Sequence, residues 1–428
     1  MAGLSTTVNS LDCARNRVQP ERGDPLSVHD EPKPLSASVR CFDSVLCFGD
    51  SDWWYHNRGH ADMQFMRRFA KHCRVLYVNS LGVRAPSVSE GRMFFRRVTR
   101  KLGSVARFLR DGGEGFPVLS PLFVPIFDGW KGAAIQASLR WQLACAMRWL
   151  HMRRPLIWVA CPTAACVLDR LSGVGVVHQL SDCYAALHGG PAAAAVRMEG
   201  RIADQADLVI CSSRQLLERA RELYGKGEYV DHGVDFDLFD SAVRKQDVPP
   251  EIANVKRPIV GFFGNIDGNT VDRALLEAVI QLRSQYRFVL VGSMTDEFES
   301  LKRFPNVVAV PRQPYQRIPQ FGAAFDVCIM PWLQNEWIKH CNPVKLKEYL
   351  ALGKPVVSTP FPELRRVSSL CIEAAGAEAF ATAIDRALQE NDELASVNRR
   401  AWAAQNTWDA KFNQVIELLK VRGIEMHA

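Results

Sequence analysis

Asn342-Pro-Val-Lys345-Leu-Lys-Glu348-Tyr-Leu-Ala-Leu352-Gly-Lys-Pro-Val-Val357 reads as the start of a helix, its body, its stop and the strand that follows. Asn342 suits the N-cap, where its side chain accepts from orphan backbone N–H groups, and Pro343 suits the first helical position, where its missing donor costs nothing. The helix then runs through Leu352 and ends at Gly353, a residue at ease in the left-handed conformation. An anion can sit at such an N-terminus, against free N–H groups and the positive end of the helix dipole. Lys345 lies in the first turn and Glu348 three residues on, so the two project from neighbouring positions of one face. A point charge for phosphate and two acceptor oxygens for a diol are thereby offered side by side. The same spacing fits an ordinary exposed i,i+3 ion pair, worth roughly 0.2 to 0.5 kcal/mol.

Outward from this segment, short apolar runs alternate with helical patterns. Ser44 to Phe48, Arg74 to Val78, Pro155 to Val159, Gly175 to Leu180 and Asp207 to Cys211 read as strands, and the rhythm restarts with Pro258 to Phe263, Arg287 to Val291, Asn306 to Val310, Phe325 to Met330 and Pro355 to Ser358. Strands separated by helices imply βαβ units and parallel sheets, here two α/β domains of Rossmann-like type. The expected division is a leader over 1–40, a first domain over 41–245, a linker over 246–257 that carries Pro249 and Pro250, a second domain over 258–405 and a helical tail over 406–428. The amphipathic stretch Trp408 to Val421 is expected to pack back across the domain junction. Ligands of open parallel sheets bind beyond the carboxyl ends of the strands, which directs attention to Gly49 to His60, Ser181 to Gly190, Gly264 to Thr270 and Pro331 to Lys347.

The bulk properties narrow the class. At 428 residues the chain exceeds one ordinary core; 47% hydrophobic and 23% charged residues suit a globular protein, and no run of about 18 apolar residues is present to span a bilayer. Residues 1–40 are polar and rich in Pro and Ser, which predicts a disordered leader in place of an export signal and a cytoplasmic location. The twelve cysteines are scattered singly, with no Cys-x-x-Cys pair, and predict reduced thiols in place of zinc or disulfides.

The segment Asn342 to Val357 is similar to the donor-site helix of bacterial GT-B glycosyltransferases that build polysaccharides. Gly261-Phe-Phe-Gly264-Asn265-Ile-Asp267 resembles that family's loop beside the donor pyrophosphate, and His232-Gly-Val-Asp-Phe-Asp-Leu-Phe239 resembles its segment at the end of the N-terminal domain. The resemblance implies a GT-B fold, a nucleotide-sugar donor (a UDP-sugar) and a lipid-linked or polysaccharide acceptor. It implies donor contacts from Gly264, Asn265, Asn342, Pro343, Lys345, Leu346 and Glu348, and no metal or other cofactor. Many retaining members carry Glu-x7-Glu, and here His340 occupies the first of those positions, so the ribose carboxylate is kept and the sugar-contacting one is not.

Strand Gly175 to Leu180 ends in Ser181-Asp182, similar to the strand end of xanthan-type glucuronosyltransferases, whose Asp is the base of an inverting reaction. Asp182 is the expected catalytic base, an effect typically worth about 10² to 10⁴ in rate; capping the following turn is the other use of an Asp there. The loop Gly49 to His60 mixes Trp53 and Trp54 with polar residues, which suits sugar binding or core packing, and Arg58 and His60 are acceptor-side candidates. Asp235 and Asp237 form an Asp-x-Asp pair that could attract Mg²⁺, but the resemblance places them at the domain crossover. Arg92 to Arg110 contains seven basic residues and no acidic one, with apolar positions at helical spacing. This predicts a basic amphipathic helix on an anionic membrane, a solvated helix face or a nucleic-acid contact, and the resemblance favours the membrane. A sugar-nucleotide epimerase or hydrolase, and an inactive sugar-nucleotide-binding scaffold, are the competing functions.

Overall fold

Both faces of a parallel sheet are covered by helices, so its strands are unbroken apolar runs. The central strands of both sheets are almost wholly buried here, and the edge strands are not. The computed structural model describes residues 39–55, 59–82, 99, 103–186, 192–390 and 392–427. After a short strand β1 (Arg40–Phe42), eight strands build the first sheet: β2 (Ser44–Phe48), β3 (Arg74–Val78), β4 (Leu109–Asp111), β5 (Pro117–Leu119), β6 (Pro155–Val159), β7 (Gly175–Leu180), β8 (Leu208–Cys211) and β9 (Glu228–Tyr229). Their order is β4-β5-β3-β2-β6-β7-β8-β9, parallel throughout except between β4 and β5. The second sheet, wholly parallel, holds β10 (Ile259–Phe263), β11 (Arg287–Val291), β12 (Val307–Val310), β13 (Val327–Met330), β14 (Val356–Ser358) and β15 (Ile372–Glu373) in the order β12-β11-β10-β13-β14-β15.

Each sheet has a point where the winding reverses. β2 lies between β3 and β6, and β10 lies between β11 and β13, so a crevice opens beyond the carboxyl ends of β2 and β6 in one domain and of β10 and β13 in the other. Helix α1 (Ala61–Phe69) follows β2, and α2 (Gly129–Trp149) precedes β6. The loop after β13 leads into α3 (Val344–Ala351).

The last helix, α4 (Trp408–Val421), returns to the first domain. Phe412 meets Phe69 edge-on at 4.9 Å, Trp408 meets Phe65 at 5.7 Å, and Arg68 holds Asp409 through two 3.0 Å hydrogen bonds. The final strand β16 (Ile424–Met426) then pairs in parallel with β1.

Two sequence expectations are corrected here. The segment 246–257 does not lie between the domains: the helix Phe236–Lys245 comes before it, and Val234, Phe239 and Ile252 are already part of the C-terminal core. The first crossing is at Gly233–Val234, where the backbone N–H of Val234 donates to Asn406 (3.0 Å) and that of Trp408 donates to Val234 (3.2 Å). A Cβ on Gly233 would stand 2.4 Å from the Trp408 nitrogen, so only glycine lets the two passing chains touch. The apolar spacing that suggested a linker was blank because Ile252 is held by a turn and not by a periodic element.

The second correction concerns the basic stretch 92–110. Residues 92–98 and 100–102 lie outside the described residues; 103–105 are helical, and Leu109 and Arg110 belong to β4, antiparallel to β5. The helix does not reach Arg110, since Phe108 takes a φ of +41° and ends it. Among the described residues the cysteines are free thiols, and no helix is long and apolar enough to cross a membrane.

Candidate active site

Gly49 and Asp50 stand at the carboxyl end of β2, and Ser181 and Asp182 stand at that of β7, two strands away in the same sheet. The facing wall comes from the second domain: Gly264 after β10, and Val344, Lys345 and Glu348 of α3. Asp50, Ser181 and Asp182 on one side and these four on the other line a cleft of about 250 Å³.

On the donor wall, α3 begins differently from the sequence expectation. Pro343 is the N-cap, with an extended ψ of 127°, and no side chain caps the helix. Asn342 faces the other way: its amide donates to the Ser212 carbonyl at 2.7 Å and its Oδ1 accepts from Lys347 at 3.0 Å. Asn342 therefore ties α3 to the N-terminal domain, and the orphan N–H groups of the first turn keep no side-chain acceptor.

The alternative use of the spacing, an exposed ion pair between Lys345 and Glu348, is not seen among the described residues: neither side chain is exposed. Lys345 Nζ lies 4.0 Å from the centroid of the Phe262 ring and 5.6 Å from that of Trp332. Burial lowers its pKa to about 8, opposed by the charges of Glu348 and Asp267. Gly264 makes room for this ammonium, because its φ is +132° and a Cβ there would lie 2.6 Å from Nζ. Glu348 is buried, which lifts its carboxyl to about 7; the neighbouring Tyr315 hydroxyl and Lys345 pull against the rise, and Asp235 adds to it.

On the opposite wall, burial raises Asp182 to about 7, and the charge of Asp50 adds to the rise. Asp50 is itself raised to about 7 by burial and by Asp62, although the Tyr184 hydroxyl donates to its Oδ1. Asp62 is held by the Asp50 N–H (2.9 Å) and the Tyr77 hydroxyl (2.8 Å), which fixes the turn after β2. Two carboxylic acids near neutrality, in one cleft, can take a proton from a bound hydroxyl. Between the walls His232 places Nδ1 2.8 Å from the Asn342 carbonyl, so that nitrogen carries the proton and donates. Burial lowers its pKa to about 4, and Nε2, buried with no partner, remains an acceptor.

The cleft thus brings together Asp182, His60, Gly264, Lys345 and Glu348 of the sequence candidates. His60 sits exposed at the rim, with Nδ1 3.4 Å from Ser51 Oγ. Arg58 lies outside the described residues. Asn265 is exposed and does not line the cleft, Leu346 is buried in the C-terminal core, and Asn342 and Pro343 stand behind the wall. Trp53 belongs to the core. Asp235 precedes the helix Phe236–Lys245 and Asp237 lies in its first turn, and among the described residues no three His, Cys, Asp or Glu side chains are grouped to hold a metal ion. His340, at the position of the missing Glu, turns Nδ1 onto the Glu336 carbonyl at 2.8 Å. Asp50, His232 and Tyr315 were missed as site residues. Asp50 had a visible signal, a carboxylate directly after a strand and a glycine; the other two depend on how the domains meet.

Residues 257–390 match the family described as Glycosyl transferases group 1. The chain is 30% identical over 244 residues to the Bacillus subtilis (strain 168) protein TuaH, provisionally named a teichuronic acid biosynthesis glycosyltransferase; the match covers 54% of this chain and 60% of that protein. Among solved structures, HepE of Anabaena in complex with UDP superposes with a TM-score of 0.61 at 15% identity, covering 88% of this chain and 99% of HepE. Sucrose-phosphate synthase from Thermosynechococcus elongatus superposes with a TM-score of 0.66 at 16% identity, over 88% of this chain and 98% of that one. At such identities the likeness is one of fold: two Rossmann-like domains facing a cleft, the GT-B architecture.

Proposed function

We propose that this chain, whose residues 257–390 form a group 1 glycosyl transferase domain, is a glycosyltransferase. It moves a sugar from a nucleotide-diphosphate donor, a UDP-sugar, to a hydroxyl of a lipid-linked or polysaccharide acceptor in cell-surface polysaccharide synthesis. The observation that carries the reading is the confrontation across one cleft of Asp182 and Asp50 with Lys345 and Glu348. The UDP-bound neighbour and the name of the Bacillus relative support the donor and the pathway class.

In this reading Glu348 accepts from the ribose hydroxyls, and Lys345 and the uncapped N-terminus of α3 receive the pyrophosphate. The acceptor hydroxyl gives its proton to Asp182 and its oxygen bonds to the anomeric carbon. The bond from that carbon to the phosphate oxygen breaks, and the departing nucleoside diphosphate is stabilised by Lys345 and the helix dipole, with no metal in the step. Attack from the face opposite the leaving group inverts the anomeric configuration.

Asp182→Asn tests the assignment. Turnover is expected to fall by about 10² to 10⁴ with donor affinity kept; a rate near that of the wild type removes Asp182 from the reaction. Nucleotide release that needs no acceptor would point to a hydrolase or epimerase.

A further inference from the structure

Helix α2 is apolar on two opposite faces. Leu139, Leu143 and Ala146 seat it on the core of the first domain. On the far side Trp130, Ala134, Ala137, Trp141 and Ala144 recur at helical spacing, and all five are exposed. Trp130 is 77% exposed, and Trp141 and Trp149 are each 67% exposed. In the segment leading into the helix, Leu122, Val124 and Ile126 are exposed as well. A lone exposed apolar residue is ordinary, whereas Trp130 and Trp141 stand with three alanines along one face of a helix about 31 Å long, with Trp149 on the flank of that face, an apolar surface that calls for an occupant.

Charge selects the occupant. Lys131, Arg140, Arg148, Arg153 and Arg154 lie on or just after α2, and no acidic residue occurs from Gly129 to Leu168. A second copy of the chain laid on this face would set these cations against each other, with Asp128 at the N-cap of α2 the one carboxylate from Leu122 to Leu168 to pair them. A surface of phosphate head groups offers this excess of cations a counter-charge. Indole rings favour the boundary between hydrocarbon and head group, where the ring is buried and the N–H stays wet.

We infer that α2, with the segment Leu122 to Ile126, is the surface by which this protein lies on an anionic lipid bilayer, its helix axis in the membrane plane. The inference stands on α2 and uses neither the transfer reaction nor the basic stretch 92–102.

The test is flotation of the full-length protein with phosphatidylcholine vesicles, with and without phosphatidylglycerol. Wild type is expected to float with the anionic vesicles only. The combined variant Trp130→Gln, Trp141→Gln, Trp149→Gln is expected to lose about tenfold or more of its partitioning, and Lys131→Glu with Arg148→Glu to lose the preference for anionic lipid. All five positions are exposed, so unchanged circular dichroism and unchanged thermal stabilisation by UDP show that fold and donor site survive. Wild type remaining in solution beside anionic vesicles, or the triple variant floating as wild type does, overturns the inference. So does a wild-type dimer that the triple variant converts to a monomer in light scattering while lipid is ignored, which would assign the face to a second copy.

Discussion

The charge state of Glu348 gives the donor site a signature that can be read without knowing the sugar. Its carboxyl titrates at about 7, chiefly through burial, so at pH 7 about half of the free protein carries it protonated, and at pH 6 about nine-tenths. A ribose diol needs the carboxylate as acceptor. Donor binding should therefore release about half a proton per site at pH 7 and about 0.9 at pH 6, with affinity falling about fivefold from pH 7 to pH 6 and nearly tenfold, or about 1.36 kcal/mol, for each pH unit below that. Lys345, lowered to about 8, sets the other limit: above pH 8 it loses the charge that meets the pyrophosphate, and affinity falls again. The folded-state pKa of Glu348 lies above its ordinary value of 4.5. Its contribution to stability is accordingly present at acid pH and lost as pH rises through 7, so the ligand-free protein is weakened in the range where the donor binds best. Isothermal titration with UDP-glucose, whose diphosphate is esterified at both ends and does not titrate here, in buffers of differing ionisation enthalpy measures the released protons. Glu348→Gln should abolish the acid limb and weaken binding about tenfold or more, the worth of one charge-assisted hydrogen bond. Wild-type affinity flat from pH 6 to 8 with no buffer dependence, or an acid limb that survives in Glu348→Gln, refutes the ribose role.

Three further outcomes are expected. Asp50→Asn keeps an oxygen for the Tyr184 hydroxyl and removes a charge that raises Asp182, so the acid limb of kcat/KM should move to lower pH; an unmoved limb means that the two carboxylates do not interact. Lys347 and Lys411 both face the buried Asp231, at 3.7 Å and 2.5 Å. Lys347→Met should cost about 3 kcal/mol in urea unfolding, and Asp231→Asn, which takes the counter-charge from both cations, should cost more; the reverse ranking would show that Asp231 is not what compensates them. Turnover should persist in EDTA, and its loss there would establish a metal in the step.

The strands were legible because a parallel strand buried on both faces must be apolar along its whole length, and Arg74–Val78 and Gly175–Leu180 needed no tertiary information to be placed. Asp182 and Glu348 line the crevice for a related reason, since one follows the end of a strand and the other stands near the start of a helix. Asn342 misled because a capping residue is defined by local backbone, while here the Ser212 carbonyl and Lys347 compete for its side chain and win. His232 carries no local signal: its Nδ1 partner is 110 residues away, and the docking of two domains makes it a site residue. Trp53 and Trp54 are adjacent in sequence, yet one fills the core while the other is only partly buried and bonds Ser120.

The two passages of chain between the domains, at Gly233–Val234 and at Asn406–Trp408, run side by side and are hydrogen-bonded to each other. They make one pivot in place of two separate straps. A door hung on a single pin can swing and twist, but the pin itself scarcely travels. Any widening of the cleft about this pin must first release the ties that lie away from it, such as Asn342 to the Ser212 carbonyl and Ser213 to the His340 carbonyl. A bulkier residue at Gly233 would force the passing chains apart and spoil the alignment of Asp182 with Lys345 without touching either.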